Sequence, residues 1–262
     1  MAVAGSETLE SGVDVAIVAP DGEKAVRPLA VVLFGSPGSG KGTQSKLLAQ
    51  WLGIPQISTG DMLREHIRLQ DAIGQAITQL MRAGSLVPDD LVNGLVRERI
   101  AQPDCSKGFI LDGYPRTPAQ AERMLAMVAA VGADEVVIHL VVDYNVIISR
   151  MSGRRVCPLC GTLYNNLSRP PKAEGKCDLD GETLVVREDD REDVVRQRLE
   201  QYDRQTRPLI EFFAKKSIRL IELDASRETP EVIFGKIRDG LRSLFAGIGA
   251  GLGSGPVAGE TQ

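Results

Sequence analysis

The run GSPGSGKGT at positions 35–43 lies between the apolar stretch 29–34 and a helix-like segment that begins at Gln44. A buried strand feeding a glycine loop and then a helix is a physical recipe for gripping a polyphosphate. Glycines let successive backbone N–H groups turn toward one centre, and the helix N-terminus adds partial positive charge there. Lys41 supplies a mobile cation for the outer phosphates. The strict form of this motif has Ser or Thr directly after the lysine; here that place is Gly42, and the hydroxyl follows at Thr43. The alternative, an accidental glycine-rich turn, is disfavoured by nine residues in register with the right context on both sides.

Apolar β-rich runs alternate with helical patterns over the rest of the chain. Strands are expected at 31–34, 56–58, 109–111, 136–142 and 218–223. Helices are expected at 41–52, 61–69, 72–83, 89–101, 118–131, 144–152, 192–213 and 230–245, with Pro208 predicting a kink or break in the seventh. Such alternation predicts an α/β fold with a parallel sheet covered by helices on both faces. Residues 154–188 interrupt the rhythm with Pro, Gly, Cys and charge, which predicts a small inserted subdomain. Residues 1–28 read as an N-terminal extension, with a short strand allowed at 13–17, and 246–262 as a Gly-rich disordered tail.

A chain of 262 residues with 43% hydrophobic content can fill one α/β domain with an insertion. Its formal net charge of −4 and 4% aromatic content argue against a general nucleic-acid binder or a membrane-surface protein. No stretch is apolar enough to span a bilayer, and the first residues lack a basic segment before an apolar one. Four cysteines at these spacings point to metal in a reducing compartment rather than to disulfides, so a cytoplasmic location is expected.

Several segments carry candidate chemistry. Thr59-Gly60-Asp61 opens a helix bearing Arg64, which can reach an anionic ligand; the plainer alternative is a capping hydroxyl and a solvated arginine. Gly84 to Pro88 reads equally well as a helix stop before a capping Asp89. At 109–116, three apolar residues end in Asp112 at a strand's C-terminal edge, where ligands bind in open α/β sheets. Asp112 is placed to hold Mg²⁺, Arg116 to clamp a phosphate with its planar fork, and Gln120 to offer a donor and an acceptor to a base edge. Cys157-Pro158-Leu159-Cys160 and Cys177-Asp178-Leu179-Asp180 form two knuckles with the spacing of a structural zinc site. A carboxylate in the fourth place is a competent Zn²⁺ ligand; three free thiols are the alternative. Cys105 falls outside the pattern and is expected to be inert.

Taken together, GSPGSGKGTQ, ISTGDMLR, GSLVPD, FILDGYPRT, GRRVC and REDD resemble the adenylate kinase family, in its long bacterial form with a lid insertion. The resemblance covers about 29–245. It implies an AMP-binding segment at 58–87 and a lid at 154–190 that closes over ATP. Carried across, Gly38, Ser39, Gly40, Lys41, Gly42 and Thr43 would surround the ATP phosphates. Thr59, Arg64, Ser85, Leu86, Val87, Gly113, Tyr114, Pro115, Arg116 and Gln120 would contact AMP. Arg150 and Arg154 would meet ATP from the base of the lid, Leu163 and Tyr164 from its adenine side, and Arg187 and Arg198 would return toward the transferred phosphoryl group and AMP. Arg227 would offer a backbone contact to adenine. The resemblance also implies ATP and AMP or ADP as ligands, Mg²⁺ with ATP, structural Zn²⁺ at Cys157, Cys160, Cys177 and Asp180, and a monomer.

Phosphoryl transfer between two nucleotides fits the cationic inventory. Lys41, Arg116, Arg150, Arg154, Arg187 and Arg198 would neutralise crowded phosphates and the transition-state charge, with Asp112 organising Mg²⁺ rather than acting as a base. A kinase taking UMP, CMP or GMP, or using GTP, is the rival within the class. A zinc-ribbon nucleic-acid module fused to a nucleotide switch is the rival outside it, and the balanced charge around 157–180 speaks against that reading.

Overall fold

The computed structural model describes residues 27–166 and 168–246. Five parallel strands form the sheet: β1 (Leu29–Gly35), β2 (Gln56–Ser58), β3 (Gly108–Asp112), β4 (Asp134–Val141) and β7 (Arg219–Asp224), in the order β2-β3-β1-β4-β7. The central strand β1 is buried along its whole length, as a strand covered on both faces must be. Its side chains alternate between two cores. Ala30, Val32 and Phe34 pack with Ile57, Leu111, Val137 and Phe213 on one face. Leu29, Val31 and Leu33 pack with Leu48, Ile110, Ile138 and Ile237 on the other.

Helices α1 (Lys41–Leu52) and α9 (Pro230–Ala246) lie against the second face. The first face is covered by α2 (Thr59–Leu69), α3 (Ala72–Arg82), α4 (Asp89–Ile100), α5 (Pro118–Ala130) and α8 (Leu209–Lys215). Helix α6 (Tyr144–Ser152) leads into a short antiparallel hairpin, β5 (Arg154–Val156) and β6 (Leu163–Asn165), which founds the insertion expected at 154–188. Helix α7 (Glu192–Gln201) brings the chain back.

The expected elements are present, with ends shifted by a few residues. The helix expected over 192–213 is broken. Helix α7 ends at Gln201, a π-helical turn spans Tyr202–Thr206, and α8 begins after Pro208. Proline has no N–H to continue an α-helical ladder, and the wide turn closes instead through Arg207 N–H to the carbonyl of Tyr202 at 2.8 Å. Cys105, outside the cysteine pattern, closes the 3₁₀ turn Pro103–Cys105 and is buried. The strand allowed at 13–17, and the tail from 247 on, lie outside the described residues. No helix among the described residues is long and apolar enough to cross a membrane.

Candidate active site

Strand register gathers the chemistry at one edge. Asp112 ends β3 opposite Leu33 of β1 and Ser58 of β2, so the phosphate loop, the start of α2 and the 112–116 turn all leave from the C-terminal ends of adjacent strands. Gly40 takes the cap position of α1 with φ at 99°, a left-handed conformation that glycine adopts without steric cost. Lys41 Nζ donates to the carbonyls of Gly35 and Ser36, each at 2.8 Å, folding the lysine back over the loop. Burial lowers its pKa to about 7, opposed by Asp112 and reinforced by Arg116, Arg198 and Arg154. Ser39 is buried within the loop.

Thr59 does not cap its helix. Ser58 does, accepting from Asp61 N–H at 3.3 Å, while the Thr59 hydroxyl donates to the Gly113 carbonyl at 3.0 Å. Gly113, at φ 78°, holds the close approach: a Cβ there would meet Thr59 Oγ1 and Arg116 Nη2 at 3.1 Å. The Tyr114–Pro115 peptide is cis. Arg116 Nε donates to Gly113 O at 2.8 Å, and its own carbonyl accepts from Thr206 Oγ1 at 2.8 Å. Asp112 Oδ2 accepts from Gln56 Nε2 at 3.0 Å. Burial pushes the Asp112 carboxyl up, and Lys41 pulls it back down.

The arginines converge above this floor. Arg64 pairs with Asp61 at 2.6 Å and with Asp189 at 3.6 Å. Arg187 reaches Asp61 at 3.8 Å, and Arg198 reaches Asp189 at 3.1 Å and Asp190 at 3.4 Å. Arg154 grips the fully buried carboxylate of Asp190 through two nitrogens. Burial, with neighbouring guanidinium groups, lowers Arg116 and Arg187 to about 10. Six cations (Lys41, Arg64, Arg116, Arg154, Arg187, Arg198) thus share the space with four carboxylates (Asp61, Asp112, Asp189, Asp190), a surplus suited to an anion. An open cleft lies there, lined by Thr59, Arg64, Ser85, Leu86, Val87, Gly113, Arg116, Gln120 and Arg198 among others.

A second, shallower cleft is lined by Arg150 with Asn145, Ser149, Asn165 and Ser226. Arg150 donates to the Ala225 carbonyl at 2.7 Å, and Arg227 is exposed on the adjoining loop after β7. Tyr164 stands apart. Its ring is buried in the lid with Cys157, Cys177 and Leu184, and its hydroxyl accepts from Asp178 N–H at 2.7 Å. Leu163 is half-buried beside it.

In the lid, Cys157, Cys160, Cys177 and Asp180 place one donor atom each within 4.8 Å of one another. Cys160 and Cys177 sulfurs are 3.5 Å apart, and Cys157 Sγ lies 3.3 Å from Asp180 Oδ2. Ligand bonds of about 2.3 Å around a tetrahedral ion put donors about 3.7 Å apart, so the set fits a closed four-ligand metal.

The family model described as adenylate kinase matches residues 33–218, more than half of the chain and all of the machinery just described up to β7. The chain belongs to the adenylate kinase family. It is similar to the adenylate kinase of Thermosipho melanesiensis, 47% identical over 204 residues that cover 78% of this chain and 95% of the relative. It is 46% identical to that of Exiguobacterium sibiricum over 203 residues, 77% of this chain and 94% of the relative. The adenylate kinase of Methanocella arvoryzae shares 45% over 202 residues, 77% and 93% respectively.

Sequence reasoning missed the acidic partners. Asp61, Asp189 and Asp190 were legible only as neighbours of Arg64 and Arg187 in charged runs, and Gln56 and Thr206 carried no local signal. Asp89, expected as a cap, sits instead at the first turn of α4 with its carboxylate on Thr117 and Gln120.

Proposed function

We propose that this protein transfers the terminal phosphoryl group of MgATP to AMP, giving two ADP. The observation that carries the reading is the convergence of Lys41, Arg116, Arg154, Arg187 and Arg198 at the C-terminal edge of the sheet, beside the glycine-rich loop and the N-terminus of α1. The phosphate loop, 38–43, takes the ATP phosphates, with Arg150, Arg154, Leu163, the backbone at Tyr164 and the loop at Arg227 on the ATP side. Thr59, Arg64, Ser85–Val87, Gly113–Arg116 and Gln120 form the AMP side, where Gln120 reads the base edge.

The AMP phosphate oxygen attacks directly, so no protein nucleophile is needed. Catalysis is positioning plus charge: the cations offset phosphate repulsion and stabilise charge on the equatorial oxygens as the bond to ADP breaks. Asp112 is the residue that would hold Mg²⁺; its buried carboxylate, fixed by Gln56 on one oxygen, suits a hard cation, which when bound neutralises phosphate charge. The carboxylates now paired with the arginines are their resting partners, exchanged for phosphate as nucleotides enter and the lid, 154–190, closes and excludes water.

The lid metal is zinc in this reading. Three thiolates and a carboxylate leave no open position, so its role is structural. The protein acts as a cytoplasmic monomer on free nucleotides; a reducing compartment is supported by three cysteines spaced as metal ligands rather than as disulfide partners.

The test is to incubate the protein with MgATP and, separately, AMP, UMP, CMP or GMP, and to quantify nucleoside diphosphates by chromatography. ADP formed with AMP, with both nucleotides consumed about equally, is expected. Faster turnover of another monophosphate, or no transfer by folded, metal-loaded protein, would overturn the reading.

A further inference from the structure

Gln120 is 2% exposed, yet it lines the cleft, and both ends of its amide are already engaged. Its Oε1 accepts from the backbone N–H of Arg116 at 2.8 Å. Its Nε2 donates to Asp89 Oδ1 at 2.7 Å. The rest of the residue is held as firmly: Gln120 N–H donates to Thr117 Oγ1 at 3.1 Å, and its carbonyl accepts from Tyr114 at 3.2 Å. Asp89 is itself fixed, because its other oxygen accepts from Thr117 Oγ1 at 2.7 Å.

These partners are one-sided. A peptide N–H only donates and a carboxylate only accepts, so the amide has one satisfied orientation. Turning it over would set its NH₂ against the Arg116 N–H and its oxygen against a carboxylate, losing both bonds and adding two repulsions. An amide offers two lone pairs and two hydrogens. One of each is spent here, which leaves one acceptor on Oε1 and one donor on Nε2 in a fixed spatial order.

That order has a chemical meaning for the base. Adenine presents a 6-amino donor beside an N1 acceptor, matching Oε1 and Nε2. Hypoxanthine presents a 6-oxo acceptor beside an N1–H donor at the same two places, and would require the amide reversed. Guanine carries the same reversed pair, and uracil presents it from its smaller ring. Cytosine presents the adenine order, so ring size rather than the amide must exclude it.

We propose that Asp89 is a specificity-determining positioning residue: it locks the Gln120 amide in the orientation that accepts a 6-amino purine and rejects a 6-oxo purine. Asp89 does this without touching the nucleotide. The inference rests on Gln120 as the base reader proposed above.

The experiment measures kcat/KM for AMP and for inosine monophosphate, at saturating MgATP, in the wild type and in Asp89→Ala and Asp89→Asn. Inosine monophosphate differs from AMP only in the two edge groups that the amide reads. The wild type is expected to favour AMP by ~100-fold or more, as a site built on paired hydrogen bonds does. Asp89→Ala should lower that ratio by at least about tenfold, by weakening AMP and improving inosine monophosphate, because a reversed amide is then opposed at Arg116 alone and no longer at a carboxylate. Asp89→Asn, nearly isosteric, should lower it in the same direction by less.

A merely structural role would depress both substrates together and leave the ratio where it was. A ratio within twofold of wild type in Asp89→Ala would overturn the lock; if that variant melts below the assay temperature, the same criterion applies to Asp89→Asn. A wild type that uses both nucleotides equally would instead remove the base-reading role of Gln120, and the lock with it.

Discussion

The phosphate loop and the inserted segment proposed as the lid are held in place by different physics. The loop hangs from β1, whose seven residues are all buried and whose side chains feed two cores. The lid has no comparable core. Its buried apolar cluster is Cys157, Tyr164, Cys177 and Leu184, and two of those four belong to the candidate metal-binding set. Around them the chain runs through tight turns and short bridges, with Leu159 and Leu179 largely exposed at the knuckle tips. An insertion of this size cannot bury enough surface to order itself, and a metal held by the four donor atoms would supply the missing cross-link. The contrast suits the division of labour. A loop that presents amides to a ligand gains from a sheet beneath it, whereas the insertion, in the proposed reading, closes as a body held together by its metal.

The comparison can be broken at its catalytic end first. Lys41→Met should lower kcat by about 10³-fold, or about 4 kcal/mol of transition-state stabilisation, measured by ADP release at saturating nucleotides. Because burial disfavours the charged lysine, the same substitution should leave the nucleotide-free protein at least as stable at neutral pH. A parallel loss of stability would mean that Lys41 serves the fold rather than the phosphates.

Leu111→Ala, in β3 beneath the loop, should cost about 2–5 kcal/mol in urea unfolding, the usual range for a core leucine that cannot be refilled. A cost below about 1 kcal/mol would show that the sheet core is looser than its burial indicates.

The pH dependence sharpens the same contrast. Below about pH 7 both folded and unfolded chains hold the Lys41 proton, and the burial penalty is present in full. Between about 7 and the ordinary lysine value the folded protein has released a proton that the unfolded chain keeps, so stability rises with pH. Denaturant titrations of the nucleotide-free protein from pH 7 to 9 should show that rise, and Lys41→Met should reduce it. An identical slope in the variant would contradict the lowered pKa of the buried lysine. The smallest effect is expected at the lid tip: Leu179→Ser, at 75% exposure, should change stability by no more than about 0.5 kcal/mol.

What the sequence revealed follows from how local each feature is. The phosphate loop, the helix starts and the cysteine knuckles are short-range patterns, and their residues act where the chain leaves them. Partnerships made by strand register were illegible. Thr59 looked like a cap because nothing nearby shows that β2 lies beside β3 and brings Gly113 within reach of its hydroxyl. Asp89 looked like a cap for the same reason; its partners at 117 and 120 arrive from another helix. Pro208 announced a break in the helix over 192–213, but not that a π-helical turn would carry Thr206 onto the Arg116 carbonyl. Tyr164 shows that a motif match does not say what a side chain does, since its ring is buried in the insertion's interior.

Removing the metal tests the difference between core and lid most directly. Calorimetric scans before and after chelation, with metal content measured on the same samples, should show one zinc per chain. Its loss should produce an early, low-enthalpy transition from the lid, while the main transition of the sheet core moves by only a few degrees. A melting profile unchanged after confirmed metal loss, or a core transition that collapses together with the lid, would contradict the separation of the two.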